Sequence, residues 1–531
     1  MTAELFLSRP AILHTVRRHL EGENGIAGRR MRRFLTSPWA LLAVIALLRL
    51  PGFAFGVLNI DESDYLVYGA GILKGLLPYR DLVEIKPPLG YLTYAVAGGL
   101  SLWPIRILGV IWVFATALLL RDAARRWTAS EETGWAAAWM SLLAGLVEVP
   151  AFGGEVMMNL PVAASIWCFV RSRRASGLFA CGICVGIATL YRHHAAITAV
   201  AFALALLVRP SDGSGRAFAR VAALASGAIA PWVMAGAGYA ALGQLPAFLE
   251  WTIARNLGYA GRASARFVLA RGVAEIALCL GAACVPWVLA ARESLRPRAD
   301  VVWRALSSML WLTWLPVAAG GRFYEHYFLQ FVPALAMLSA PSAAALGARW
   351  RELAPRTRTL AVTGIAVPLV AWLAFSWGRG IAGGYPAQEP RTRAVAQWLR
   401  ANTAPGDTLF VWGHYSPIYT LSDRLPGTRY INTTPQIGNF DPAHLPADFD
   451  PAQHRAARDV AALLEDLDRR RPQWFIDTAP AGIHLWNRVP LSAFPDLLHY
   501  RAEHYLEVAR PGGAPVYRRR DGPTVQARGE H

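Results

Sequence analysis

The amino-acid sequence predicts a polytopic α-helical membrane protein of about eleven spans, followed by a small α/β domain. Three observations lead there. Hydrophobic residues make up 54% of the chain and charged residues 17%, where an ordinary soluble domain carries about 25% charged residues. The apolar residues gather into runs near the roughly 20 residues that cross a hydrocarbon core as helix. Beyond Trp377 short β-rich runs alternate with helical patterns, as in a small sheet covered by helices.

In chain order, residues 1–37 form a tail ending in Arg29-Arg30-Met31-Arg32-Arg33 without a signal-peptide cleavage site, and Met31 is a second candidate start. Apolar runs follow at 38–58, 104–120, 133–150, 156–170, 175–191, 195–208, 218–242, 271–291, 301–319, 325–347 and 359–377. Arginine collects in alternate connections, at 121–126, 171–174, 209–220, 292–304 and 349–358. Positive loops stay in the cytoplasm. The opposite connections, 59–103, 151–155, 192–194, 243–270 and 320–324, are therefore expected to face outward. The alternation requires 88–103, too short to span, to lie as an interfacial helix. The expected divisions are a cytoplasmic tail 1–37, a membrane domain 38–377 and an extracytoplasmic α/β domain 378–531.

In that last domain the patterns predict a helix over 391–402, a strand over 407–412 and a turn at Gly413-His414 that opens a helix. A second strand around Arg429-Tyr430-Ile431, a helix near 454–469 and a strand over 473–477 complete a mostly parallel sheet. His414 and Asp477 fall at strand ends, where such folds bind ligands, although turn formation is the commoner role there. The net charge of +17 is spread over loops rather than gathered on one soluble face, which excludes nucleic acid as a partner. All five cysteines lie in expected spans, so no disulfides are expected, and Cys181-x-x-Cys184 reads as helix packing.

The chemistry is concentrated in the first outward loop, which holds both of the chain's lysines, Lys74 and Lys86, among 53 basic residues. It reads Asn59-Ile60-Asp61-Glu62-Ser63-Asp64-Tyr65, then Gly75-Leu76-Leu77-Pro78-Tyr79-Arg80-Asp81, and closes Glu84-Ile85-Lys86-Pro87-Pro88. An ammonium is a compact point charge suited to a phosphate, where arginine presents a planar fork. Further ionisable groups collect on the same side in the Glu155 loop, at Tyr191-Arg192-His193-His194 and over 321–327, and such groups at membrane depth are functional candidates. The set suits a reaction between a polar acceptor and a lipid phosphate. A carboxylate takes the proton of the attacking hydroxyl, worth about 100- to 10,000-fold, and cations stabilise charge on the departing phosphate. Asp61-Glu62 also fits the first turn of a helix on dipole grounds alone.

The D-E pair after the first span, the following G-x-x-P-Y-x-D and the closing K-P-P resemble the first outer loop of the C-type (GT-C) membrane glycosyltransferases. The pattern is nearest the bacterial branch related to protein O-mannosyltransferases and lipid A aminoarabinose transferases. The segment G-R-F-x-x-H-Y-F-L-Q-F-x-P over 321–333 is similar to a late segment of the same group. The resemblance implies a GT-C-like fold and an inverting transfer of a sugar from a polyprenyl-phosphate donor, without a nucleotide, to an envelope glycan, lipid or protein hydroxyl. It implies a bacterial inner membrane location among membrane lipids, with the site and last domain facing the periplasm. Residue by residue, Asp61 resembles the catalytic carboxylate, with Glu62 as its neighbouring alternative. Lys86, Arg322, His326 and Tyr327 resemble contacts to the donor phosphate, and Tyr65, Arg80, Asp81, Glu84 and Glu155 are secondary candidates. Only Glu155 stands where relatives carry a second-loop carboxylate, so no cofactor is established and a divalent metal is not assumed.

Two other readings exist. A transporter or flippase for a lipid-linked saccharide predicts charges at the midplane of broken spans and an inverted repeat, whereas here the charges gather at span ends. A membrane sensor would leave the lysine-bearing loop without a purpose.

Overall fold

A computed structural model describes residues 30–208, 214–257, 265–440, 445 and 449–521. Most of the expected tail, and parts of the connections at 209–220 and 243–270, lie outside the described residues. Each expected span coincides with helix. They are α1 Pro38–Phe55, then, after α2 Ile60–Leu73 and α3 Leu89–Val96 of the first loop, α4 Leu102–Thr128, α5 Glu131–Ala144, α6 Gly154–Arg171 and α7 Ala175–Thr189. Next come α8 Ala196–Leu207, α9 Ser214–Ala241, α10 Ala265–Ala282, α11 Cys284–Ser294, α12 Val301–Leu312, α13 Val332–Ala348 and α14 Pro355–Ile381.

Among the described residues six helices are long and apolar enough to cross a membrane, or seven if one bent pair counts as a span. The protein is a multi-pass membrane protein. The bent pair corrects one expectation: the run at 271–291 is not one straight helix but α10 and α11, turned by 94°. Pro286 explains the break. It has no amide hydrogen to offer and its ring collides with the carbonyl four residues back, at Ala282, where α10 ends. The segment 88–103 likewise yields the eight-residue α3, and α4 starts early at Leu102. The helix through Glu325–Ala348 is the most enclosed long apolar segment, with 56% of its apolar window buried against 11% for Pro355–Ile381, so the first forms the bundle's centre and the second its lipid-facing edge.

Following the helices end to end separates two faces. Arg32 pairs with Glu132 at 2.9 Å and Arg121 with Glu131 at 2.6 Å, and the Trp167 indole donates to Asp122 at 2.7 Å. The arginine-rich ends of α4 and α6 and the Glu131-Glu132 end of α5 are thereby gathered together. The other helix ends carry the first loop, Arg192 and the segment 321–327.

That second face is covered by the α/β domain: α15 Pro390–Asn402, β1 Thr408–Trp412, α16 Pro417–Ser422, β2 Leu425–Pro426, α17 Ala457–Arg470, β3 Trp474–Asp477, α18 Pro495–His504, β4 Tyr505–Ala509 and β5 Val516–Arg519. The strand order is β2-β1-β3-β5-β4. The β1 pairings are parallel, as expected, but β5 runs antiparallel to both β3 and β4, so the sheet is mixed. These last strands are hard to read in sequence because β4 is mostly exposed and β5 is Val-Tyr-Arg-Arg, with Arg519 buried against Tyr505. Arg429-Tyr430-Ile431 is not a sheet strand either. Its backbone instead receives the Val83 amide of the first loop at 2.9 Å.

That junction depends on Asp466, fully buried in α17, which accepts from the Arg429 amide at 2.7 Å and from its guanidinium at 2.8 and 2.9 Å. Asp466→Ala removes the buried partner of Arg429, leaving it only the exposed Glu465 at 3.8 Å, and is expected to destabilise the α/β domain by about 3 kcal/mol. Urea unfolding followed by tryptophan fluorescence measures this. An unchanged midpoint would remove Asp466 from the junction.

Candidate functional site

The first loop is built to fix Lys86. Asn59 caps α2 by accepting the Glu62 amide at 2.8 Å, which places Asp61 and Glu62 in the first turn, where the helix dipole favours carboxylates. After α2 the P-Y-x-D motif folds into a turn, with Asp81 accepting the Leu77 amide at 2.9 Å and Tyr79 in the left-handed region at φ 69°. The Tyr79 hydroxyl then donates to the Lys86 carbonyl at 2.8 Å, and Asn256 holds the neighbouring Ile85 carbonyl at the same distance. The motif thus acts through the lysine backbone.

Lys86 points back to α2. Its ammonium donates to Asp64 at 2.8 Å and lies 3.2 Å from Asp61, while Arg192 holds the other Asp61 oxygen at 2.8 Å. Of the two aspartates, Asp64 is 2% exposed and Asp61 29%, so Asp61 is the one open to a ligand. Burial alone would lift the Asp61 carboxyl, but Lys86 and Arg192 hold it well below the usual carboxylate range. Burial opposes the Lys86 charge in turn. Asp61, Asp64 and Glu84 overcome it and keep the ammonium protonated far above its ordinary range.

These groups line a cavity of about 1030 Å³ between the helical bundle and the α/β domain. One wall is apolar, with Leu278, Ala282, Val367 and Phe375 from α10 and α14, and the other holds Asp61, Lys86 and Arg192. Of the remaining expected residues, Glu84, Arg322, His326 and Tyr327 also line it. Arg322 is buried and donates to the Asn439 carbonyl at 3.1 Å, and the Tyr327 ring packs 5.5 Å from His194 and 4.8 Å from His326. Burial pushes His194 down to about 4, so it is neutral at pH 7 and brings no cation to the cavity.

Other expected residues stand elsewhere. Glu62, expected beside Asp61 as a catalytic carboxylate, is wholly buried and does not line the cavity. Arg106 grips it with both terminal nitrogens, and the Leu58 and Phe152 amides add bonds at 3.1 and 3.2 Å. Arg80 is half exposed and pairs with Asp81, which serves the turn. Glu155 is buried 3.0 Å from the Arg192 Nε in an ion pair lacking hydrogen-bond alignment, and Tyr65 packs beneath Lys86 at 5.8 Å.

Sequence reasoning undervalued Arg192, Asp64 and Glu148. Arg192 follows an apolar run, a signal that was visible. Asp64 was hidden by its spacing, one helical turn after Asp61, and Glu148, which lines the cavity and accepts from Asn59 at 3.1 Å, by its position inside an expected span. Among the described residues, no group of three or more His, Cys, Asp or Glu side chains is placed to hold a metal. Asp61 and Asp64 each already have a cation within 3.2 Å, so an ion placed there would have to displace Lys86 or Arg192. All five cysteines are free.

This architecture is the GT-C fold, that of the C-type membrane glycosyltransferases. The apo structure of the lipid A aminoarabinose transferase ArnT from Cupriavidus metallidurans matches with a TM-score of 0.57 at 12% identity over 93% of this chain and 98% of that one. The same protein bound to undecaprenyl phosphate matches with a TM-score of 0.55 at 14% identity over 91% and 98%. The apo oligosaccharyltransferase of Archaeoglobus fulgidus matches more loosely, with a TM-score of 0.45 at 13% identity over 84% and 70%. No family model matches the sequence, and no curated protein matches it.

Two expectations follow from the geometry. Lys86→Ala removes a cation that depresses Asp61, so the Asp61 carboxyl must titrate at higher pH in that variant. An infrared carboxylate difference spectrum against Asp61→Asn reads this, and an unshifted band would mean that Lys86 does not govern Asp61. Gly154 is needed for close approach, because a Cβ there would meet the Arg192 side chain and lie 2.8 Å from the Tyr65 hydroxyl. Gly154→Ala is expected to displace Arg192 and to shift the same band upward, by less than Lys86→Ala does.

Proposed function

We propose that the protein transfers a hexosyl or pentosyl unit from a polyprenyl-phosphate donor to an acceptor hydroxyl, with inversion, on the extracytoplasmic face of a bacterial inner membrane. The observation that carries this reading is Asp61, the partly exposed carboxylate of a buried ion cluster, on the polar wall of a cavity whose other wall is apolar. The fold shared with ArnT, whose structure was solved bound to undecaprenyl phosphate, supports the lipid-phosphate donor.

In the proposed reaction the acceptor oxygen bonds to the anomeric carbon as the bond from that carbon to the phosphate oxygen breaks. The electron pair leaves with polyprenyl phosphate, and the acceptor proton passes to Asp61. The lipid tail lies along the apolar wall. Lys86 turns its ammonium to the phosphate, with Arg322, His326 and Tyr327 around it, and stabilises the leaving charge. As Lys86 turns, Asp61 loses a cation and gains proton affinity. Glu62 anchors the start of α2 through Arg106. No step uses a metal, and transfer is expected to survive chelation.

The flippase alternative gains no support from this arrangement, since the charged wall sits under the α/β domain rather than midway along the helices.

Asp61→Asn keeps shape and hydrogen bonding but cannot accept a proton, so turnover is expected to fall by about 100-fold or more while polyprenyl phosphate still binds. Lys86→Ala is expected to weaken that binding, with only partial rescue by Lys86→Arg. Binding is read by quenching of tryptophan fluorescence in nanodiscs, and turnover with the lipid-linked sugar that accumulates when the gene is deleted. Near-normal turnover in Asp61→Asn would sink the mechanism.

A further inference from the structure

The cavity has a second polar region. It is built by the α/β domain, and the donor chemistry leaves it unused. After β1 the chain turns at Gly413, and His414 and Tyr415 enter the cavity lining. Ser416 lies 3.5 Å from the Ile60 carbonyl, and Ser63 bonds Thr420 at 3.0 Å. The turn is therefore clamped to α2 one residue from Asp61.

Across this turn stands His484, which also lines the cavity. Its ring centre is 5.4 Å from that of His414 and 5.7 Å from that of Tyr415, tilted 33° to the latter. His484 and Leu485 are consecutive non-glycine residues at φ 49° and 60°, a strained backbone that the fold sustains to hold this ring in place. The Tyr415 side chain is buried and lines the cavity, so it offers a ring face held in place by packing. His414 Nδ1 is buried, and among the described residues no protein group satisfies it. A buried polar nitrogen without a partner calls for one. Asn432, 3.4 Å from Glu84, adds an amide to the same wall.

Fixed aromatic faces ringed by imidazole, amide and carboxylate groups suit a ligand with an apolar face and a rim of groups that both donate and accept hydrogen bonds. A sugar ring has that chemistry. An extended peptide would be recognised by strand addition to a free sheet edge, and the edge strands β2 and β4 do not line the cavity.

We propose that His414, Tyr415 and His484, with Asn432 and Glu389 beside them, form a subsite for a sugar ring next to Asp61. It rests on the transfer reading above and adds the place where a sugar is selected.

The test is saturation-transfer NMR on the full chain in nanodiscs. The probes are methyl glycosides of hexoses, aminohexoses and pentoses, the matching glycosyl 1-phosphates, and a short threonine peptide. Ring-proton saturation of at least one sugar is expected, reduced about fivefold or more by His484→Ala and by His414→Ala, and retained in His484→Phe, which keeps the ring face. Saturation of a methyl glycoside that persists in Lys86→Ala assigns the subsite to the acceptor sugar. Saturation confined to glycosyl 1-phosphates and lost in Lys86→Ala assigns it to the donor sugar. The proposal is overturned if no sugar is saturated, if the histidine variants change nothing, or if only the peptide is saturated. Undecaprenyl phosphate binding, read in the same samples, keeps the outcomes apart. Its persistence with no sugar signal defeats the subsite alone, whereas its absence from the unaltered protein defeats the transfer reading.

Discussion

A single buried ammonium organises this end of the molecule. Lys86 sits within 3.2 Å of two aspartates on one helical turn. It shares Asp61 with Arg192 and is the cation paired with the buried Asp64, and desolvating an unpaired charge costs several kcal/mol. The surroundings are arranged to keep Lys86 in place. Tyr79 and Asn256 hold the backbone on either side of its peptide bond, Tyr65 lies beneath the ammonium, and Pro87-Pro88 turn the chain directly into α3. Among the described residues the ion pairs of Asp61, Asp64 and Glu155 are all to Lys86 and Arg192, so three carboxylates share two cations. Such a cluster is poorly suited to stability for its own sake, since well-packed apolar residues of similar volume often do as well or better.

The same loop couples the two halves of the fold. Val83 joins the Arg429 backbone, Arg470 donates to the Asp81 carbonyl at 3.0 Å, and α16 lies on α2 through Ser63 and Thr420. Movement of the α/β domain would therefore be felt at Lys86 through the turn that carries it. The cavity walls come from both halves, so the space of about 1030 Å³ lies at their junction.

Much of this was legible in sequence, and what was missed has physical reasons. Long apolar runs and arginine-rich connections mark helices and their ends because hydrocarbon imposes length and charge placement. The loop motifs could be found because turn geometry needs particular residues: Asp81 for its cap, and Tyr79, whose hydroxyl fixes the lysine backbone. Burial and direction were not legible. Asp61 and Glu62 are adjacent and chemically alike, yet successive residues on a helix point about 100° apart, so one faces the cavity and the other meets Arg106. That partner lies 44 positions away on α4, beyond any local pattern. Likewise β5 is disguised by its arginines, and the break at Ala283 depends on a proline that in other spans is tolerated, as Pro161 is inside α6.

The depressed acidity of Asp61 looks at first like an obstacle to its proposed role, since a carboxylate held by two cations is a weak base. The difficulty disappears if the cations are shared with the donor phosphate. In the proposed reaction, Lys86 neutralises Asp61 before the donor arrives. A bound phosphate competes for the ammonium, and each further increment of negative charge on the departing phosphate competes harder. The proton affinity of Asp61 then rises as the bond to the phosphate weakens, when the acceptor hydroxyl becomes acidic enough to need a base. Lysine suits this exchange better than arginine. A compact ammonium on a flexible stem can turn from one anion to another, whereas the guanidinium of Arg192, wedged between Asp61 and Glu155 beside Gly154, is fixed. In the proposed reaction the two cations on Asp61 thus divide the work, Arg192 holding the carboxylate in place and Lys86 turning to the phosphate.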